Sequence, residues 1–361
     1  MRLLILSTPV GPLGSGLGGG VELTVANLAR VLTALGHRVA VVTPTGAQPE
    51  ALGIDANAIE IIQMPGSLQP TTQTKGRSSP VIVGSALANT WEYARQEQTD
   101  YDLFVNFAYD WLPLYLTPFL SVSVAHFVSM GSLSDAIDEA IEQLSSCYSG
   151  TLGAYTQSQV ETFAPTISLS AWHILGCGLD LRKYDYCDVP GDALAWVGRI
   201  SPEKGLEDAI AAAITSHQPL KIYGKLENPT YWQSLQPLID SAPVAIDYCG
   251  FLPTEQLQQS LGQARALLVT PRWTEAFGIV AVEAMACGVP VIAYRAGGPA
   301  EIVRSGKTGW LVAPGEVDGL VGAIAKIDAI SRSACRRQAE SEYSLLAWGK
   351  RFERWFYKIV G

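Results

Sequence analysis

Two glutamates eight residues apart, Glu275 and Glu283, frame the segment TEAFGIVAVEAMACG. Glu283 stands among Ile279, Val280, Ala281, Val282, Ala284, Met285 and Ala286. Burying a carboxylate there costs kilocalories unless it is hydrogen-bonded, and a polar ligand is an economical partner. If the whole stretch rose at helical pitch, the two carboxylates would lie about 12 Å apart. Between them, the N–H groups of Phe277, Gly278 and Ile279 can point at an anion from a helix start. Hydroxyl acceptors at both ends with an anion site between them match the polarity of a sugar, a diphosphate and a ribose in a row. One helix cap and one buried salt bridge satisfy the same spacing.

A second segment, WVGRISPEKGLEDAI, sets Arg199 and Lys204 in a loop after an apolar strand and just before a helix. Both side chains can reach a diphosphate from there; charge pairing on a solvated loop is the competing explanation. Gly14, Gly16 and Gly19 fit GxGxxG, but they fall well after the strand ends at Thr8. A dinucleotide site also needs an acid near the end of the second strand, where this chain has Thr43-Pro44-Thr45. Backbone N–H groups meeting a phosphate at the helix start explain the glycines better than NAD(P) binding does.

Other polar residues are more ambiguous. His126 follows the apolar run SVSVA and is either a ligand or a satisfied core histidine; His37 and His173 read as structural. Asp100-Tyr101-Asp102 imitates a DxD metal motif, yet no further carboxylates accompany it and no metal site is expected. NFAYDWLP offers Tyr109 and Trp111 for stacking on a flat ring and Asn106 and Asp110 for its polar edge. Core or loop packing accounts for the same aromatics.

Positioning these residues takes a regular scaffold. RLLILST, HRVAVVT, YDLFVNF and SVSVAHF alternate with helix-length segments, and ALAWVGR, LKIYG, VAIDYCG, ARALLVTP and VPVIAYR form a second such set. This alternation predicts parallel βαβ units, an α/β protein with two Rossmann-like domains facing each other across a cleft. The helix around Val21 to Leu35 carries one apolar stripe and ends at Gly36. Gln48 to Pro80 is rich in Pro, Gly, Ser and Thr, too irregular for a core element, and reads as a long loop. GCGLDLRKYDYCDVP reads as a linker, giving domains over 1–176 and 177–344. Residues 345–361 form an aromatic helix, with Leu345, Trp348, Phe352, Trp355 or Phe356, and Ile359 on one face, expected to pack back on the first domain.

The composition excludes several classes. Among 361 residues, 25 Lys and Arg face 34 Asp and Glu, a net charge of −9 that lacks the basic footprint of a nucleic-acid binder. Cys147, Cys177, Cys187, Cys249, Cys287 and Cys335 show no metal spacing and read as reduced thiols. The start, MRLLILSTPVG, reads as a first strand, and no apolar run approaches the roughly 20 residues of a membrane helix. A cytoplasmic protein is expected. Lys350, Arg351, Arg354 and Lys358 on the last helix allow a membrane-surface role, which the acidity disfavours.

GRISPEKG with Arg199 and Lys204, the Glu275/Glu283 pair, GGPAEIV, GGGVE after the first strand and VAHF with His126 together resemble the family 4 retaining glycosyltransferases of the GT-B fold. The resemblance implies that Arg199 and Lys204 neutralise the donor diphosphate, helped by the backbone of Gly19, Gly20, Phe277, Gly278 and Ile279. It implies that Glu275 holds sugar hydroxyls, Glu283 the ribose, and His126 the sugar near the reacting carbon, with Phe251 and Leu252 beside the base. His126 and Glu275 are then the catalytic candidates. It also implies transfer with retention to an α-glucoside, without metal or other cofactor. The opening STPVGPLGSGLGGGVELT further resembles the cyanobacterial UDP-glucose:tetrahydrobiopterin α-glucosyltransferases. That implies UDP-glucose as donor and a reduced pterin as acceptor. A sugar, polyol or lipid acceptor, a nucleotide-sugar-binding regulator without turnover and an NAD(P) oxidoreductase are the other readings.

Overall fold

The computed structural model describes residues 1–70, 84–163 and 167–361. The chain divides into two compact units, residues 1–178 together with 345–361, and residues 179–344. In the first unit seven parallel strands, β1 (Arg2–Leu6), β2 (Arg38–Pro44), β3 (Glu60–Met64), β4 (Leu103–Asn106), β5 (Val124–Val128), β6 (Leu152–Ala154) and β7 (Trp172–Ile174), lie in the order β3-β2-β1-β4-β5-β6-β7. Leu3, Leu4, Ile5 and Leu6 are all fully buried, which is why β1 reads as an unbroken apolar run instead of an alternating one: the sheet is covered on both faces.

The crossover from β1 to β2 is the helix Gly20–Ala34, whose buried stripe includes Val25, Leu28 and Leu32. It closes with a Schellman turn. Gly36 takes φ 90°, its N–H bonds Thr33 O and the His37 N–H bonds Leu32 O.

The expectation for Gln48 to Pro80 is corrected in its described part. Glu60–Met64 is a strand, paired with β2 from Ala40↔Glu60 to Pro44↔Met64. As an edge strand of five residues with Glu60 and Gln63 among them, it lacks the apolar density that marks a buried strand. Residues 71–80 of that expected loop lie outside the described residues.

The second unit holds six parallel strands, β8 (Leu194–Val197), β9 (Leu220–Tyr223), β10 (Ile246–Tyr248), β11 (Leu267–Val269), β12 (Val291–Tyr294) and β13 (Gly309–Val312), in the order β10-β9-β8-β11-β12-β13. In both sheets the strand order reverses direction once, between β1 and β4 and between β8 and β11. Loops leaving the carboxyl ends of strands at such a switch point diverge and leave a crevice, where doubly wound sheets bind ligands.

The segment expected to be a linker is instead packed structure of the second unit beyond Gly178. The Leu179 N–H bonds Tyr343 O, Leu181–Lys183 form a short helical turn, Tyr184 is buried, and the Cys187 N–H bonds Cys287 O. The last helix, Leu345–Val360, belongs to the first unit. It buries Trp348, Phe352, Trp355 and Phe356 and packs on the helix Gly20–Ala34, so closely that a Cβ on Gly349 would lie 2.5 Å from a methyl of Val31. The indole N–H groups of Trp348 and Trp355 donate to Gly176 O (3.0 Å) and Gly150 O (2.7 Å), and the Arg351 guanidinium donates to Leu175 O. No described helix is long and apolar enough to cross a membrane.

Candidate functional site

The switch point of the second sheet carries a pocket. Its walls include Gly198 and Arg199 after β8, Thr270 and Pro271 after β11, and Lys204, Glu275, Gly278 and Ile279. Lys204 sits on a short helical turn, Pro202–Lys204, ended by Gly205 at φ 62°. That turn is braced against the neighbouring loop. Thr270 Oγ1 donates to Gly205 O (2.8 Å), the Arg272 N–H bonds Glu203 O (2.9 Å), and a Cβ on Gly205 would strike Thr270 O at 2.1 Å.

Within the pocket the Lys204 ammonium pairs with Glu275 Oε2, the Trp273 indole N–H donates to the same oxygen (3.1 Å), and Lys204 Nζ stands 5.2 Å from the centre of the Trp273 ring. Arg199 is held between two carboxylates, Glu227 (2.6 Å) and Glu203 (3.3 Å). The diphosphate reading and the charge-pairing reading of these cations therefore describe the same side chains.

Ile279–Ala286 is the helix whose N-terminus opens at this pocket, entered through Gly278 at φ 85°. The entry depends on a close backbone crossing. Gly298 donates its N–H to Glu275 O (2.7 Å), and a Cβ on Gly298 would lie 2.1 Å from Phe277 O. The GGP of GGPAEIV thus shapes the 275–278 turn. Phe277 itself turns inward, 7% exposed, with its ring 6.0 Å from that of Tyr343, so it offers backbone and no side chain.

Glu283 lies one turn into the helix, four residues after Ile279. Tyr184 donates its hydroxyl to Glu283 Oε1 (2.7 Å), and Tyr184 is the one protein partner Glu283 has among the described residues. Desolvation raises the Glu283 pKa and the Tyr184 bond opposes the rise. Phe251 is 72% exposed on the loop after β10 and Leu252 partly exposed beside it; neither of them, nor Glu283, is part of the pocket's lining.

The remaining expected residues belong to the first unit. A Cβ on Gly19 or Gly20 would meet no atom within 4 Å, so the start of the helix Gly20–Ala34 stands over open space. The rest of the glycine-rich loop is already satisfied from inside. Glu22, 2% exposed, accepts the N–H of Gly14 (2.8 Å), Gly16 (3.1 Å) and Gly18 (2.5 Å) and the hydroxyl of Ser15 (3.2 Å). Its carboxylate thus takes up loop N–H groups that would otherwise be open to an anion. The phosphate contact expected at Gly14 and Gly16 is corrected accordingly, and the Gly19 N–H bonds Gly16 O (3.4 Å).

His126 is also corrected. It is completely buried on β5. Thr117 gives its hydroxyl proton to Pro113 O, so it accepts from His126 Nε2 (2.8 Å), while His126 Nδ1 accepts from Asn106 Nδ2 (3.2 Å). A ring with both nitrogens spent and no exposed atom cannot touch a sugar; it is the satisfied core histidine.

Burial pushes its pKa down to about 3, far below the ordinary imidazole value. The unfolded chain therefore binds a proton that the folded chain refuses. This contribution to stability is complete above about pH 6.5 and is lost as the pH falls toward 3. Thermal melts should show that loss, and His126→Asn should flatten the dependence; an unchanged slope would place the titrating group elsewhere.

The flat-ring site proposed for residues 106–111 is corrected for the same physical reason. Asn106 accepts the Ala108 N–H (3.0 Å), Asp110 is 1% exposed and caps the helix Trp111–Leu116 through Leu112 N–H, and Tyr109 bonds Gly131 O and Leu133 N–H. Trp111 packs against the core beneath. Their polar edges serve the fold. In the Asp100-Tyr101-Asp102 motif, Asp102 is bound by the Arg2 backbone and guanidinium, which lower its pKa, and no described cluster of three His, Cys, Asp or Glu could hold a metal.

Two doubly wound α/β sheets, each with one switch point, are the sheets of the GT-B fold, which this chain shares with solved glycosyltransferases. Residues 191–342 match the family model described as glycosyl transferases group 1. Glycogen synthase of Mycobacterium tuberculosis is 28% identical over 91% of this chain and 86% of its own length. D-inositol 3-phosphate glycosyltransferase of Mycobacterium avium is 34% identical over 44% of this chain and 39% of its own. Anabaena HepE (Alr3699) in complex with UDP superposes with a TM-score of 0.77 at 19% identity, over 98% of this chain and 99% of that one. Sucrose-phosphate synthase of Thermosynechococcus elongatus reaches 0.73 at 19%, over 99% of both. At such identities the structural likeness is one of fold.

Trp273, Tyr184 and Glu22 escape the sequence reading. Trp273 has a signal, its place two residues before Glu275, and so does Glu22, an acid in the first turn after a run of glycines. Tyr184 has none, because the segment around it has no periodicity.

Proposed function

We propose that the chain transfers glucose from UDP-glucose, with retention and without a metal ion, to a small hydroxylated acceptor. The observation that carries this reading is the convergence of Arg199, Lys204, Glu275 and the N-terminus of Ile279–Ala286 on one pocket. Two fixed cations and a helix dipole supply positive potential to a departing diphosphate, the task a divalent ion performs in metal-dependent transfer. Glu275, released from Lys204 by the incoming anion, accepts sugar hydroxyls, and Glu283 accepts those of the ribose. The bond from C1 to the β-phosphate oxygen breaks, the acceptor oxygen bonds C1 on the same face, and its proton passes to the departing phosphate. The UDP held by Anabaena HepE supports the choice of nucleotide.

The side-chain hydroxyl of tetrahydrobiopterin is the proposed acceptor, supported by the likeness of STPVGPLGSGLGGGVELT alone. Incubation with radiolabelled UDP-glucose and a mixture of tetrahydrobiopterin, simple sugars and polar lipids should give labelled pterin α-glucoside, undiminished by EDTA. Label in sugars or lipids alone overturns the acceptor. A β linkage overturns retention, and loss of activity with EDTA overturns the metal-free step.

A further inference from the structure

We propose that Tyr184 is a positioning residue for the donor: its phenol fixes the Glu283 carboxylate so that Oε2 is the atom offered to the ribose diol. This rests on the reading of Glu283 as the ribose acceptor. Tyr184 is 6% exposed and donates to Oε1 at 2.7 Å, whereas Oε2 has no bonded partner among the described residues and Glu283 remains partly open to solvent. A carboxylate with one oxygen tied cannot rotate freely. Its second oxygen is oriented before the ligand arrives, and the ordering cost on binding falls.

The backbone that carries this phenol is itself anchored from several directions. Arg336 Nη1 donates both to Tyr184 O (2.7 Å) and to Ala286 O (2.6 Å), so one guanidinium ties the Tyr184 backbone to the helix that carries Glu283. Next along the chain, the Asp185 N–H bonds Gln258 Oε1 (2.9 Å), and Gln258 is buried on the helix Thr254–Gly262. Phenylalanine would fill the same volume without a hydroxyl to satisfy. A hydroxyl kept in a buried place and aimed at one carboxylate oxygen serves that carboxylate.

Calorimetric titration of the full chain with UDP, 2′-deoxy-UDP and 3′-deoxy-UDP tests this for wild type, Tyr184→Phe and Glu283→Gln, with melting curves to confirm folding. Tyr184→Phe should weaken UDP by about 10-fold, the effect of losing a hydrogen bond to a charged group. The deoxy nucleotides should weaken much less, so the preference for the intact ribose shrinks in both variants. If Glu283→Gln removes that preference and Tyr184→Phe keeps it, the inference is wrong and the ribose reading stands. Equal weakening of all three nucleotides by Tyr184→Phe reduces Tyr184 to a structural role. If Glu283→Gln keeps the preference, the ribose reading falls and the inference with it. A Tyr184→Met variant, read in the same way, covers the case in which the phenylalanine variant does not fold.

Discussion

Lys204→Ala should lower kcat/KM for UDP-glucose by roughly 10²–10³-fold, with most of the loss in kcat, because the ammonium acts on charge that grows on the departing diphosphate. The loop itself should survive. It is held by Thr270 Oγ1, by the Arg272 N–H and by the close fit of Gly205 on Thr270 O, none of which involves the lysine side chain. Glu275 keeps the Trp273 indole as a partner after the substitution. Lys204→Arg should recover part of the rate, since the charge returns on a different fork. Steady-state kinetics on the two variants, with UDP binding measured separately, checks both statements. Alanine activity within about fivefold of wild type would remove Lys204 from the leaving-group site.

Glu22→Ala is the second large effect, and it acts on the first unit. Three backbone N–H groups and the Ser15 hydroxyl lose an acceptor that is itself 2% exposed; Gly14 and Gly18 are half-buried, while Ser15 and Gly16 are exposed. Water replaces the acceptor at the exposed donors, and the loss of charge-assisted bonds at the two half-buried ones leaves a net loss of about 3 kcal/mol. For a unit of this size that corresponds to a melting shift of about 6–12 °C. Glu22→Gln should lose less, since one amide oxygen still accepts while the NH₂ faces donors. Differential scanning calorimetry resolves the two units if they melt separately. A shift under about 2 °C for the alanine variant would mean that the loop does not depend on this carboxylate.

The parallel architecture was legible because strands buried on both faces leave long apolar runs: RLLIL, RVAVVTP and ARALLVTP announce β1, β2 and β11 directly. β3 was not legible, since EIIQM is an edge strand with polar ends, and β6 and β7 are three residues each, too short for any period to show. At the pocket of the second sheet the residue types were informative. Arg, Lys and Glu placed after strands at a switch point have few structural uses there, and Arg199, Lys204 and Glu275 do line one pocket.

The acceptor side failed for a specific reason. Asn106, Tyr109 and Asp110 have the groups that bind a heterocycle, and those same groups bond backbone amides and carbonyls when a loop must be satisfied internally. Sequence does not say which partner is nearer. One signal was available: Asp110 stands just before a helical segment with Pro113 in its first turn, the signature of an N-cap. His126 carried none, since a strand-borne histidine looks alike whether its ring meets a ligand or Thr117.

The return of Leu345–Val360 to the first unit has a consequence for biosynthesis. Residues 179–344 form a unit whose sequence is continuous, so it can complete its six-stranded sheet while the ribosome is still at work. The unit that emerges first cannot finish. Its helix Gly20–Ala34 waits for Trp348, Gly349 and Phe352, more than 300 residues downstream, and until they arrive an apolar flank beside Val31 stays uncovered. The order of translation and the order of maturation are thus opposite. A chain cut after Ser344 therefore keeps every residue of the second unit and lacks the helix that covers this flank of the first.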